Sequence, residues 1–112
     1  MIRLTVLYNL PPDQDEDEFL QWRLGEHQSA NMSIEGVVAS QFHRVFGDAG
    51  GAVPAYRFLT TLDWPDRKSF EKGFYDPQVQ AELEENLRKI SDPLFIVSER
   101  LVDESNESEV GE

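Results

Sequence analysis

Cysteine is missing altogether from the 112 residues. Disulfide staples, zinc ribbons and thiol nucleophiles are thereby excluded, and the composition fits a reducing compartment, so a cytoplasmic location is expected. No apolar run approaches the ~20 residues that span a bilayer, and the first residues run directly into a strand pattern. Neither a membrane segment nor a signal peptide is therefore expected. Bases are scarce, with 10 Lys and Arg against 22 Asp and Glu and a net charge of -12. No basic stripe is present, which argues against nucleic acid as a partner. Glycine-rich nucleotide motifs, closely spaced metal ligands and nucleophile elbows are also absent, so no metal and no organic cofactor is expected. Gly47 to Gly51 joins two strand-like runs and precedes no helix, so it reads as a hairpin connection.

The acids that are present are clustered. Asp13, Asp15, Glu16, Asp17 and Glu18 crowd one stretch, where negative charge suits a helix N-terminus. Asp103, Glu104, Glu107, Glu109 and Glu112 crowd the end of the chain and read as a solvated, disordered tail over residues 103–112. Residues 1–102 form a single domain, long enough to bury a core without covalent staples.

Within that domain, strand-like runs at Ile2–Tyr8, Gly36–Phe46, Ala55–Trp64 and Leu94–Val102 alternate with two helical stretches. The order β-α-β-β-α-β is the split-βαβ pattern of an α+β, ferredoxin-like sandwich. In the first strand Ile2, Leu4, Val6 and Tyr8 share one face. In the third, Tyr56, Phe58, Thr60, Leu62 and Trp64 do the same. The first helix is expected from about Asp15 to Ser29, with Leu20, Leu24 and His27 on one stripe flanked by Phe19 and Arg23. A short helix from Pro65 to about Phe74 breaks near Gly73, and a second opens at Asp76-Pro77 with Val79, Leu83, Leu87 and Ile90 inward. Two helical stretches cover one sheet face only, so the other face calls for a second copy of the chain, and a homodimer is expected.

Candidate chemistry rests on few residues. His27 lies on the inward stripe near the end of its helix, where the dipole favours imidazolium. It is either a proton-transfer residue at a pocket rim or a capping or packed histidine. His43 and Arg44 point to opposite faces of the second strand. Tyr8 and Tyr56 stand out among the aromatics, because a buried phenol needs a polar partner and can orient a ligand. Several aromatics could line a flat apolar pocket between sheet and helices.

Several short motifs carry a family likeness. They are the opening Met-Ile-Arg-Leu-Thr-Val-Leu-Tyr, Trp22-Arg23-Leu24-Gly25-Glu26-His27, Glu35-Gly36-Val37, and Asp76-Pro77. Over about residues 1 to 102 the chain resembles dimeric α+β barrel proteins of the EthD-like type. Within them it resembles the RedY/HapK-like proteins of prodiginine (tripyrrole pigment) biosynthesis. The resemblance implies two ferredoxin-like subunits paired through their open sheet faces, each keeping a cleft between sheet and helices. It also places a functional polar residue on the first helix, here His27.

The leading expectation is a protein of pigment or aromatic natural-product biosynthesis. It would bind a flat aromatic intermediate and promote condensation or cyclisation without a cofactor, with His27, Tyr8 and Tyr56 as the site residues. A cofactor-free monooxygenase of a polyaromatic phenol and a non-catalytic ligand-binding barrel are the alternatives, and fold alone does not choose among them.

Overall fold

A computed structural model describes residues 1–106. The chain runs β1 (Ile2–Asn9), α1 (Glu16–Trp22), a π-helical turn (Arg23–His27), α2 (Gln28–Met32), β2 (Ala39–Arg44), β3 (Phe58–Trp64), α3 (Arg67–Phe74), α4 (Pro77–Asn86), a 3-10 turn (Leu87–Lys89) and β4 (Ser91–Glu99). The four strands form one antiparallel sheet in the order β2-β3-β1-β4. This is the expected ferredoxin-like architecture. The stretch expected as a disordered tail begins at Asp103, and from residue 107 onward it lies outside the described residues.

Alternation in β1 sorts the sheet faces as the side-chain period of two requires. Ile2, Leu4, Val6 and Tyr8 are buried under the helices, together with Phe58, Leu62 and Trp64 of β3. Phe19 of α1 and Phe70 of α3 close this core from above. Asp15 caps α1 by accepting from the backbone N–H groups of Asp17 and Glu18. Asp76 caps α4 in the same way, with Pro77 in the first turn.

Trp64 is fully buried and donates its indole N–H to the carbonyl of Glu35 at 3.0 Å. Gly73 of α3 passes directly over this pair, and a Cβ built there would lie 2.1 Å from the Glu35 oxygen.

The opposite face carries three cross-strand rows, Ala39–Asp63–Arg3–Ser98, Gln41–Thr61–Thr5–Ile96 and His43–Leu59–Leu7–Leu94. Arg3 grips Asp63 with two hydrogen bonds of 2.8 and 3.0 Å. Among the described residues no helix crosses this face, and Leu94 and Ile96 stand exposed on it.

Strand ends differ from the expected ones. β2 spans Ala39–Arg44 rather than Gly36–Phe46, and β3 starts at Phe58 rather than Ala55. β4 begins at Ser91, before Pro93. Pro93 lacks an N–H and normally ends a strand, but β4 is an edge strand and its register with β1 shifts between Leu7 and Asn9. Asp92 takes a left-handed φ of 54° at that irregularity.

Candidate functional site

The first helical stretch turns inward the residues Phe19, Arg23, His27 and Asn31, each four positions after the last. Phe19, Arg23 and Asn31 are buried and His27 is half-buried. An α-helix repeats every ~3.6 residues, so side chains four apart drift round the axis. The π turn at Arg23–His27 takes up extra residues and brings the series back into line. The same turn rotates Leu24 outward, to 63% exposed, which corrects the expected stripe at that position, while Leu20 stays half-buried against the core and His27 inward.

These side chains form one wall of a cavity of about 110 Å³ between sheet and helices. β1 and β3 supply its floor with Leu4, Val6, Tyr8, Thr60 and Leu62, and α4 closes it with Val79, Leu83 and Asn86. His27 stacks on Trp22 with ring centres 4.4 Å apart. Its Nδ1 lies 3.5 Å from the Asn86 amide nitrogen. Burial, then the positive charges of Arg23 and Lys89, push its pKa down to about 4. The imidazole is therefore neutral at physiological pH. The helix dipole does not win here, because the helix runs on to Met32 and the last free carbonyls lie beyond His27.

Arg23 is 1% exposed. Its Nη1 donates to Gln28 Oε1 at 2.8 Å and its Nη2 to Thr60 Oγ1 at 3.2 Å. The guanidinium carbon sits 4.3 Å from the centre of the Phe42 ring. Thr60 Oγ1 also shares a 3.0 Å hydrogen bond with the hydroxyl of Tyr8, which is 4% exposed. A polar chain Tyr8–Thr60–Arg23 thus crosses an otherwise apolar floor. Burial lowers the Arg23 pKa from its usual value, yet guanidinium stays charged in proteins.

Of the residues singled out in the sequence, His27 and Tyr8 line this cavity. Tyr56 is not among its lining residues; it sits half-buried just ahead of β3. His43 is exposed on the open sheet face beside Leu59. Arg23, Thr60 and Asn86 were not expected at the site. The signal for Arg23 was its place four residues before His27 on the same helix face. Among the described residues, no group of three or more His, Asp or Glu side chains is placed to hold a metal ion.

The family model described as REDY-like protein HapK matches residues 2–101. No curated protein matches the chain. Among solved structures, the chain is similar to HapK from Hahella chejuensis, with 17% identity, a TM-score of 0.68, and 95% of this chain and 98% of that one covered. An EthD family protein from Bacillus halodurans is 17% identical with a TM-score of 0.75, over 90% of this chain and 99% of that one. A dimeric ferredoxin-like protein of unknown function from Thermobifida fusca is 18% identical with a TM-score of 0.62, over 87% and 88% of the two chains. At these identities the solved structures speak for the fold.

Proposed function

The chain belongs to the REDY-like HapK family, and from that premise we propose that it serves natural-product biosynthesis of the prodiginine or pyrrole-pigment type. It binds a flat aromatic intermediate and promotes condensation or ring closure without a cofactor. The observation that carries this reading is the apolar cavity with a neutral imidazole in its wall. Such a pocket holds two reacting groups together, which by itself lowers a barrier substantially. Neutral His27 is free to accept a proton from carbon next to a carbonyl, and the Tyr8–Thr60 hydroxyl pair orients an oxygen.

2-Acetylbenzaldehyde tests the ring-closing reading, because it cyclises once a base removes a proton from its methyl ketone. The protein is expected to speed the reaction at least tenfold over buffer, within the range of general-base catalysis, equally with and without dioxygen. His27→Ala should lose most of that gain. No acceleration, or a strict need for dioxygen, would count against the proposal.

The open sheet face is best covered by a second copy of the chain. Leu7, Leu59, Leu94 and Ile96 form its apolar part, and the Thermobifida fusca protein of the same fold is dimeric. Light scattering at micromolar concentration should give twice the chain mass. Leu59→Arg puts an unpaired charge into the middle of that face and should yield monomers. A wild-type monomer would sink the idea.

A further inference from the structure

We infer that Arg23 is an anion anchor, holding the carboxylate of a flat aromatic acid inside the cavity between helices and sheet. The inference rests on the cavity reading above and narrows its ligand class. Its ground is an anomaly of charge. Arg3, Arg44, Arg57, Arg88 and Arg100 each meet a carboxylate, and Arg67, which meets none among the described residues, is exposed to water. Arg23 is far more buried than any of them, and no Asp or Glu pairs with it among the described residues. Acids outnumber bases 22 to 10, so the lack of a partner is not for want of carboxylates. Glu82 even lines the same cavity, yet it is exposed and bonds to Gln78 instead.

Burying a charge without a counter-charge is costly, and proteins seldom do it without a purpose. The groups around Arg23 are all neutral: Gln28, Thr60, Tyr8 and the Phe42 ring. Gln28 and Thr60 engage two of the roughly five guanidinium N–H donors, so donors remain for a ligand. A planar carboxylate matches the guanidinium fork, and charge-assisted pairs of this kind are the strong ones. Flat aromatic walls at Trp22 and Phe19 suit the rest of such a molecule. The chain as a whole is acidic, so the attraction has to be local. Lys89, above the Trp22 ring at 5.0 Å, adds a second positive charge nearby.

Calorimetric titration of the full chain with 2-naphthoate and with 2-naphthamide, at about pH 7.5, compares one ring system with and without the charge. Wild type is expected to prefer naphthoate by roughly tenfold or more, the scale of a hydrogen bond to a charged group. Arg23→Met should bring the ratio close to one. Should that variant fail to fold, Arg23→Lys carries the test, because an ammonium lacks the fork and the preference should shrink at least threefold. Equal binding of both compounds by wild type overturns the anchor and leaves the cavity reading standing. So does a preference that survives in the folded Arg23 variant, or one that is lost in Lys89→Met instead. Binding of neither compound overturns the cavity reading and the anchor with it.

Discussion

Gly73→Ala is expected to destabilise the fold by about 3 kcal/mol, at the upper end of what overpacking usually costs, and to lower Tm by roughly 10 °C. The new methyl would lie 2.1 Å from the Glu35 carbonyl oxygen and 2.9 Å from the Trp64 indole nitrogen. Neither neighbour can yield cheaply. The carbonyl is backbone, and the indole is fully buried and edge-on to both Phe70 and Phe74. Relief requires α3 to lift away, which stretches the 3.0 Å bond between Trp64 and Glu35. It also moves Phe74, a wall of the cavity, so ligand binding should weaken together with stability. Gly25→Ala is the control. A Cβ there meets nothing within 4 Å, and alanine is the better helix former by up to ~1 kcal/mol. Thermal melts of the two variants side by side decide the point. If both melt like wild type, α3 does not pack against the Glu35 turn.

Gly73 also shows where sequence reading reaches its limit. The glycine was legible as a helix break, whereas its real role is a close approach between two segments far apart in the chain. Local pattern carries the first kind of fact and not the second. The sheet was legible for the converse reason. Ile2, Leu4, Val6 and Tyr8 alternate cleanly, and a period of two leaves only a choice of face. Pro93 concealed the start of β4, because the register shift that accommodates it depends on the partner strand.

The site was half legible. Alternation grouped Tyr8 with Ile2, Leu4 and Val6 without choosing their face, and spacing put His27 inward. The same alternation put Tyr56 beside Phe58, but the chain joins the sheet only at Phe58, and Tyr56 is not among the cavity's lining residues. On the helix, counting apolar residues favoured Leu20 and Leu24. Leu20 does pack on the core, but Leu24 is exposed, and the inward series also contains Arg23 and Asn31, polar residues that a hydrophobic count passes over. A strict spacing of four was there to be read in Phe19, Arg23, His27 and Asn31, but it becomes a face only once a π turn is allowed.

His27 should make the protein acid-sensitive, and His27→Gln should remove that sensitivity. In the unfolded chain the imidazole titrates near its ordinary value of about 6.5. In the folded chain burial, Arg23 and Lys89 push it down to about 4. Between these values the unfolded state binds more protons, so stability falls as pH drops through the window. Above pH ~6.5 the group contributes no pH-dependent penalty, and well below pH ~4 the penalty is complete, at about 3 kcal/mol from ~1.36 kcal/mol per unit. At pH ~4.5 wild type should already have lost roughly 2.5 kcal/mol through this one residue. Glutamine keeps a neutral polar side chain without the titration. The variant should match wild type to within about 1 kcal/mol at pH ~7.5 and exceed it clearly at pH ~4.5. Carboxylates protonating in the same range alter both proteins alike, so the difference between the two denaturation curves isolates His27. The window also predicts function. Proton acceptance by His27 should persist as pH falls through 6, failing only toward pH ~4, and an anion held by Arg23 would offset one of the charges that lower its pKa. A wild-type activity limb at an unperturbed histidine value, or no stability difference at pH ~4.5, would place the imidazole in water rather than in the cavity wall.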